Sequence, residues 1–110
     1  MSGPMPSAEA AAPLFAALAD PTRLALVERL ADGAPRPIVA LAAGSALTRQ
    51  AVSKHLAVLR GAGLVVRRPS GRETLYALRP ERLEEARAWL DSIGAQWEDA
   101  LARLKAHVEG

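Results

Sequence analysis

The feature that most constrains the fold is an apolar stripe in the last third of the chain. From Leu83 to Val108, hydrophobic residues recur at intervals of three and four, which is the spacing of one helix face. An unbroken helix over residues 81–108 would be about 42 Å long, at about 1.5 Å per residue. A chain of 110 residues is too small to cover that stripe alone. The sequence therefore predicts a homodimer in which a second copy covers it.

The predicted dimer interface combines this last helix with a first helix that is expected near Ala8 to Leu18. Gly94 falls within the last helix and would either bend it or allow the close approach of another backbone. The interface residues are large and apolar: Leu14, Phe15, Leu83, Leu90, Ile93, Trp97, Leu101 and Leu104.

Length and composition exclude several classes of protein. The chain has room for one domain, and without cysteine it has no disulfide, thiolate metal site or thiol switch. No run reaches the roughly 18 apolar residues of a membrane span, and the N-terminus does not read as a signal peptide. We expect a cytoplasmic protein that makes no contact with membranes.

Charge is distributed unevenly along the chain. Residues 33–72 contain seven basic residues and no Asp or Glu, whereas both flanks are net acidic. A solvated basic surface is the simpler explanation, but forty residues without a carboxylate favour a polyanionic partner, namely double-stranded DNA.

Helix and strand signals within this basic segment predict a winged helix-turn-helix. A short helix over residues 38–43 is followed, after Gly44 and Ser45, by a longer helix from Thr48 to about Gly61. Residues 64–68 and 73–78 predict a β-hairpin with a turn at residues 69–72. The fold class is mainly α with a small hairpin, in the order α-α-α-α-β-β-α. The chain would divide into a flexible arm (1–13), a DNA-binding domain (14–79) and a dimerisation helix (80–110).

The helix that begins at Thr48 is the predicted recognition helix. Its exposed face would place four polar or basic side chains in the major groove, where Arg suits guanine and Gln suits adenine: Arg49, Gln50, Ser53 and Lys54. The alternative is a solvated polar face. Thr48 is either a cap alone or also a phosphate contact, whereas His55 is expected to pack inside first and to touch phosphate second. The hairpin arginines Arg67, Arg68 and Arg72 would reach phosphates or the minor groove, or else only keep the hairpin soluble.

Four segments carry a resemblance to a known family. They are residues 15–24 (FAALADPTRL), 50–56 (QAVSKHL), 59–65 (LRGAGLV) and 74–78 (TLYAL). Together they resemble the ArsR family of bacterial winged-helix repressors. The resemblance implies a homodimer, joined by its first and last helices, that releases its operator when an effector binds.

The sequence departs from the metal-sensing pattern of that family. The segment 38–43 has no cysteines, and the last helix offers His107 with Asp91, Asp99 and Glu109 instead of paired His and carboxylate ligands. A zinc or nickel site normally uses several imidazole or thiolate ligands, and the end of this chain supplies one imidazole. We therefore predict no metal and no cofactor, and the sequence identifies no small-molecule effector.

Two rival functions compete with DNA binding. An acidic or gapped recognition face would indicate a protein-interaction module on the same scaffold. The predicted recognition face is instead basic and has no acidic residue. An enzyme would need a phosphate loop, a nucleophile with its base, or a metal cluster, and the only imidazoles are His55 and His107. We predict that the chain is not an enzyme.

Overall fold

The computed structural model describes residues 7–109. Its elements follow the chain as α1 (Ala8–Leu18), α2 (Pro21–Leu30), β1 (Arg36–Pro37), α3 (Ile38–Ala42), α4 (Arg49–Gly61), β2 (Val65–Ser70), β3 (Glu73–Leu78) and α5 (Pro80–Glu109). The mainly helical fold with a small sheet is the one predicted. Residues 1–6 of the predicted arm lie outside the described residues, as does Gly110. Residues 8–13 of that arm belong to α1, because the Ser7 hydroxyl caps this helix by accepting from the Ala10 amide.

Caps at the sequence-predicted positions start and stop the helices. The Asp20 carboxylate accepts from the Arg23 amide and Pro21 follows at the first helical position, so α2 begins there. The Thr48 hydroxyl accepts from the Ala51 amide at 3.1 Å and begins α4. After α4 the chain turns at Gly63, whose φ of +77° suits a residue without a Cβ atom.

The sheet has one strand more than predicted. β1 pairs antiparallel with β3, and the strand order is β1-β3-β2. The prolines that flank Arg36 predict a break before α3, but Pro37 is tolerated because β1 is a two-residue edge strand. The wing is also longer than predicted: Pro69 and Ser70 belong to β2, which is the other edge.

The tip of the wing is a two-residue turn at Gly71 and Arg72. Gly71 has a φ of +61°, while no non-glycine residue in the described part of the chain has a positive φ. This combination fits a type II′ hairpin turn, whose twist matches that of the flanking strands. The predicted turn over residues 69–72 is therefore shortened to its last two residues.

One core joins the helices to the base of the wing. Its largest fully buried side chains come from α1 to α4, β2 and the segment between α4 and β2: Leu14, Leu30, Leu41, Val52, Leu56, Leu59, Leu64 and Val65. Burying a side chain of this size stabilises the fold by about 1.5–3 kcal/mol. The core thus fixes α4 by one face and leaves its opposite face free.

α5 runs without a break from Pro80 to Glu109, straight through Gly94. Only Ala86 on this helix is buried, and α5 packs mainly against α1. At their contact the rings of Phe15 and Trp89 meet edge to face, with centroids 5.4 Å apart. Beyond this contact the helix extends away from the core, which gives the molecule a longest dimension of 67 Å.

No single helix within residues 7–109 is long and apolar enough to cross a membrane, and α1 with α2 meets that test only as a pair bent by 95°.

Candidate nucleic-acid interface

The exposed face of α4 carries the predicted recognition residues. Val52, Leu56 and Leu59 are buried against the core. The side chains predicted to enter the major groove all lie in the exposed part of the helix: Arg49, Gln50, Ser53 and Lys54. α4 is therefore amphipathic, with donors and positive charge on its outer side and no carboxylate among them.

The wing arginines are also exposed. Arg67 and Arg68 are neighbours on β2 and so point to opposite faces of the hairpin, while Arg72 lies in the turn. Glu73 follows Arg72 directly and places one carboxylate at the tip. The wing thus offers cations on both of its faces.

A cleft of about 370 Å³ separates the wing from the start of α4. Arg49 lines it on the helix side and Arg72 on the wing side, while Val39 contributes from α3 and Thr74 from β3. The structure thereby brings together two arginines that are 23 positions apart in the sequence. Both cations face one concavity, which the Glu73 carboxylate also lines, so the cleft carries an excess of one positive charge.

Arg29 holds the helix-turn-helix together, a role that no sequence pattern predicted. Its guanidinium donates to the backbone oxygens of Ala40 at 2.7 Å, Leu41 at 3.1 Å and Ala43 at 3.2 Å. These are carbonyls at the C-terminal end of α3, which otherwise lack helical partners. Arg29 thus fastens α2 to α3 and to the turn that leads into α4. Its basic charge near the end of α2 was the only sequence signal.

His55 lies at the edge of the recognition face, between its exposed and buried sides. Its Nδ1 atom is 3.3 Å from Arg23 Nη1 and 3.8 Å from Asp20 Oδ2. The hydrogen bond from the Arg23 amide lowers the pKa of Asp20 below its ordinary value, against an opposing effect of desolvation, and the positive charge of the Arg23 guanidinium lowers it further. A carboxylate that stays ionised keeps the N-cap of α2 intact.

The predicted interface residues divide into two groups. Leu14 is 1% exposed and lies in the core, because it shares the inward face of α1 with Ala11 and Ala17, so it is removed from the predicted interface. Phe15 and Leu83 are half-buried against the same core. The other predicted members remain exposed on α5: Leu90, Ile93, Trp97, Leu101 and Leu104.

No group of three or more His, Cys, Asp or Glu residues within residues 7–109 is arranged to hold a metal ion.

Comparison with known proteins agrees with this architecture. A family model described as a helix-turn-helix domain matches residues 18–68. The HTH-type transcriptional regulator Rv2034 of Mycobacterium tuberculosis is 47% identical over 85 residues, which are 77% of this chain and 76% of the relative. The HTH-type transcriptional regulator CmtR of the same species is 49% identical over 77 residues, which are 70% of this chain and 64% of CmtR. This chain thus spans slightly less than two thirds of CmtR.

A solved structure shows the same fold. An ArsR-like transcriptional regulator from Rhodococcus sp. RHA1 superposes with a TM-score of 0.75 at 36% identity, over 89% of this chain and 92% of that protein. The helices, the wing and these relatives together define a winged helix-turn-helix DNA-binding transcriptional regulator. Within that class, the chain belongs to the ArsR family. The resemblance noted in the sequence is thus confirmed, and these relatives are regulators, not enzymes.

Proposed function

We propose that the protein is a homodimeric repressor that binds a partly palindromic DNA operator. The observation that carries the proposal is the exposed face of α4, where donors and cations project from a helix whose other face is anchored in the core. In this proposal Arg49, Gln50, Ser53 and Lys54 enter the major groove and read base edges. The wing arginines Arg67, Arg68 and Arg72 contact the backbone or the minor groove beside it.

The apolar stripe on α5 supports the dimer. Trp97 is 63% exposed and Leu104 is 59% exposed in the single chain, on a helix that extends beyond its own core. Contiguous exposed apolar surface of this kind marks interaction sites on soluble proteins. A second copy, packed two-fold on α5 with Phe15 of α1 at the margin, would remove these side chains from water. Gly94 has no atom within 4 Å of an added Cβ, so it leaves room for that approach.

Two-fold symmetry sets the form of the operator. A dimer with one recognition helix per chain reads two inverted half-sites, centred about one helical turn apart or a multiple of that distance. Binding over a promoter would block transcription, which is the repressor activity proposed here. The DNA would be met in the cytoplasm, the location expected from the sequence, and an effector that remains to be identified would release the protein.

Selection from random DNA duplexes tests the proposal directly. Purified protein is incubated with the library at two salt concentrations, and the bound duplexes are sequenced. We expect an enriched palindrome whose affinity falls by orders of magnitude between about 50 and 200 mM salt, because several phosphate contacts displace counterions. Weak, uniform binding at low salt alone would overturn specific recognition and would favour the alternative, a protein-interaction module on a winged-helix scaffold.

A further inference from the structure

His55 is tied to the corner between α1 and α2. The Arg23 guanidinium contacts His55 Nδ1 through Nη1 at 3.3 Å, while its Nε and Nη2 atoms donate to the backbone oxygens of Ala17 and Ala16. Arg23 therefore links the last turn of α1 to a side chain of the recognition helix. The other charged group that faces the ring is Asp20, at 3.8 Å from the same nitrogen.

These contacts fix the tautomer of the imidazole. A guanidinium carries donors only and stays protonated, so a hydrogen bond at this contact requires His55 Nδ1 to accept, which leaves the ring proton on Nε2. The Asp20 oxygen is too far away to accept a hydrogen bond from Nδ1. Within residues 7–109, Nε2 of His55 has no hydrogen-bond partner. Every buried side-chain nitrogen in that range does have a partner, so Nε2 is not buried and is exposed to solvent.

The position of His55 on α4 suits a phosphate better than a base. It lies about 100° around the helix axis from Lys54, on the flank that contacts Arg23 of α2. When a recognition helix lies in the major groove, its outermost side meets base edges and its flanks run beside the sugar-phosphate backbones. A fixed N–H donor on a flank is therefore placed for a phosphate oxygen.

We propose that His55 donates its Nε2 proton to a DNA phosphate and that Arg23 is the positioning residue that fixes this tautomer and orients the ring. The inference rests on the proposed function, because it names a contact within that DNA interface. The two roles expected for His55 are then compatible, because Nδ1 makes the contact within the fold and Nε2 contacts the phosphate.

The first experiment examines the free protein and does not depend on DNA. Nitrogen chemical shifts of the two histidine rings report which nitrogen carries the proton, with exposed His107 as the internal reference. We expect His55 to be a single Nε2–H tautomer in the wild type and a mixture in Arg23→Met. A Nδ1–H tautomer in the wild type, or the same tautomer ratio in the variant, would overturn the role of Arg23.

The second experiment separates the two nitrogens by substitution. In His55→Asn the side-chain oxygen can still accept from Arg23, but the outer donor is absent; in His55→Gln the amide N–H₂ lies close to the position of Nε2. We expect His55→Asn to lower operator affinity about tenfold or more, the size of a hydrogen bond to a charged group, while His55→Gln retains most of it. The salt dependence should stay unchanged, since a neutral donor displaces no counterion.

Thermal unfolding of both variants provides the control for a purely structural role. Equal reductions of affinity in His55→Asn and His55→Gln, or full affinity in His55→Asn, would overturn the phosphate contact. If the wild type selects no operator at all, the proposed function and the phosphate contact fail together, whereas the tautomer measurement still decides the role of Arg23.

Discussion

At the scale of single residues, the basic side chains of the interface differ in what they can recognise. Arg49 begins the recognition helix and has a planar fork of donors that suits a guanine edge, whereas Arg68 projects from the wing, where a phosphate is the expected partner. Both are exposed, so replacing either leaves the core intact. Their roles can therefore be separated by binding alone.

We expect Arg49→Ala to relax the preference at one base pair of each half-site, with a reduction of about 10- to 100-fold in discrimination. Arg68→Ala should weaken binding to all sequences nearly equally, and the salt slope should decrease by about one for every phosphate that the variant no longer neutralises. Titrations against the operator and its single-base variants at several salt concentrations measure both effects. Arg87→Ala, which removes an exposed arginine on α5, is the matched control. If Arg49→Ala weakened binding to all sequences equally and Arg68→Ala relaxed base preference, the two roles would be exchanged.

Among the helices and strands, α5 contains one residue, Gly94, that the contacts of the single chain do not explain. Glycine within a helix costs about 1 kcal/mol relative to alanine, yet α5 is continuous through Gly94. An added methyl group would meet no atom within 4 Å there in the single chain. In the proposed dimer, the close approach of a second backbone would account for a glycine at this position.

We expect Gly94→Ala to weaken dimerisation at least several-fold, although it favours the helix, because the methyl group would separate the two chains. Sedimentation equilibrium measures the dimer constant, and circular dichroism checks the helix. Gly61→Ala, at the end of α4, is the control: it also has open space and a negative φ, and should stabilise the fold without affecting the dimer. Tighter association in Gly94→Ala would exclude a close approach at this position.

At the scale of the whole molecule, the elongated shape and the polarised charge separate two surfaces. Acid-free residues 33–72 supply α3, α4, the first strand of the wing and its turn, which would face DNA in the proposed function, while the apolar stripe projects on α5. The proposed function needs both, because each half-site alone provides only half of the contacts. A variant that cannot dimerise should therefore also bind its operator weakly.

We expect Trp97→Ala to dissociate the dimer, since a buried interface tryptophan typically contributes about 2–4 kcal/mol. Operator affinity should fall by at least tenfold, while the unfolding of the protomer changes little, because Trp97 is exposed in the single chain. Leu24→Ala, which shortens another exposed apolar side chain but on α2, should leave dimerisation and operator affinity unchanged. A Trp97→Ala variant that remains dimeric would place the interface elsewhere.

The local features of this protein follow from its amino-acid order. Asp20 and Thr48 specify helix starts through their own side chains, the spacing of Val52, Leu56 and Leu59 specifies the inward face of α4, and the segment motifs specify the family. Such signals lie within one or two helical turns, so a linear pattern contains them.

Packing between elements settled the features that no linear pattern contains. β1 became a strand because β3 lies beside it, and Leu14 became core instead of interface because α1 turned that face inward. Arg29 found the carbonyls of α3, and His55 found Arg23, a partner 32 positions away. These contacts join residues that sequence periodicity cannot relate, because they exist only once the helices have taken their places around one core.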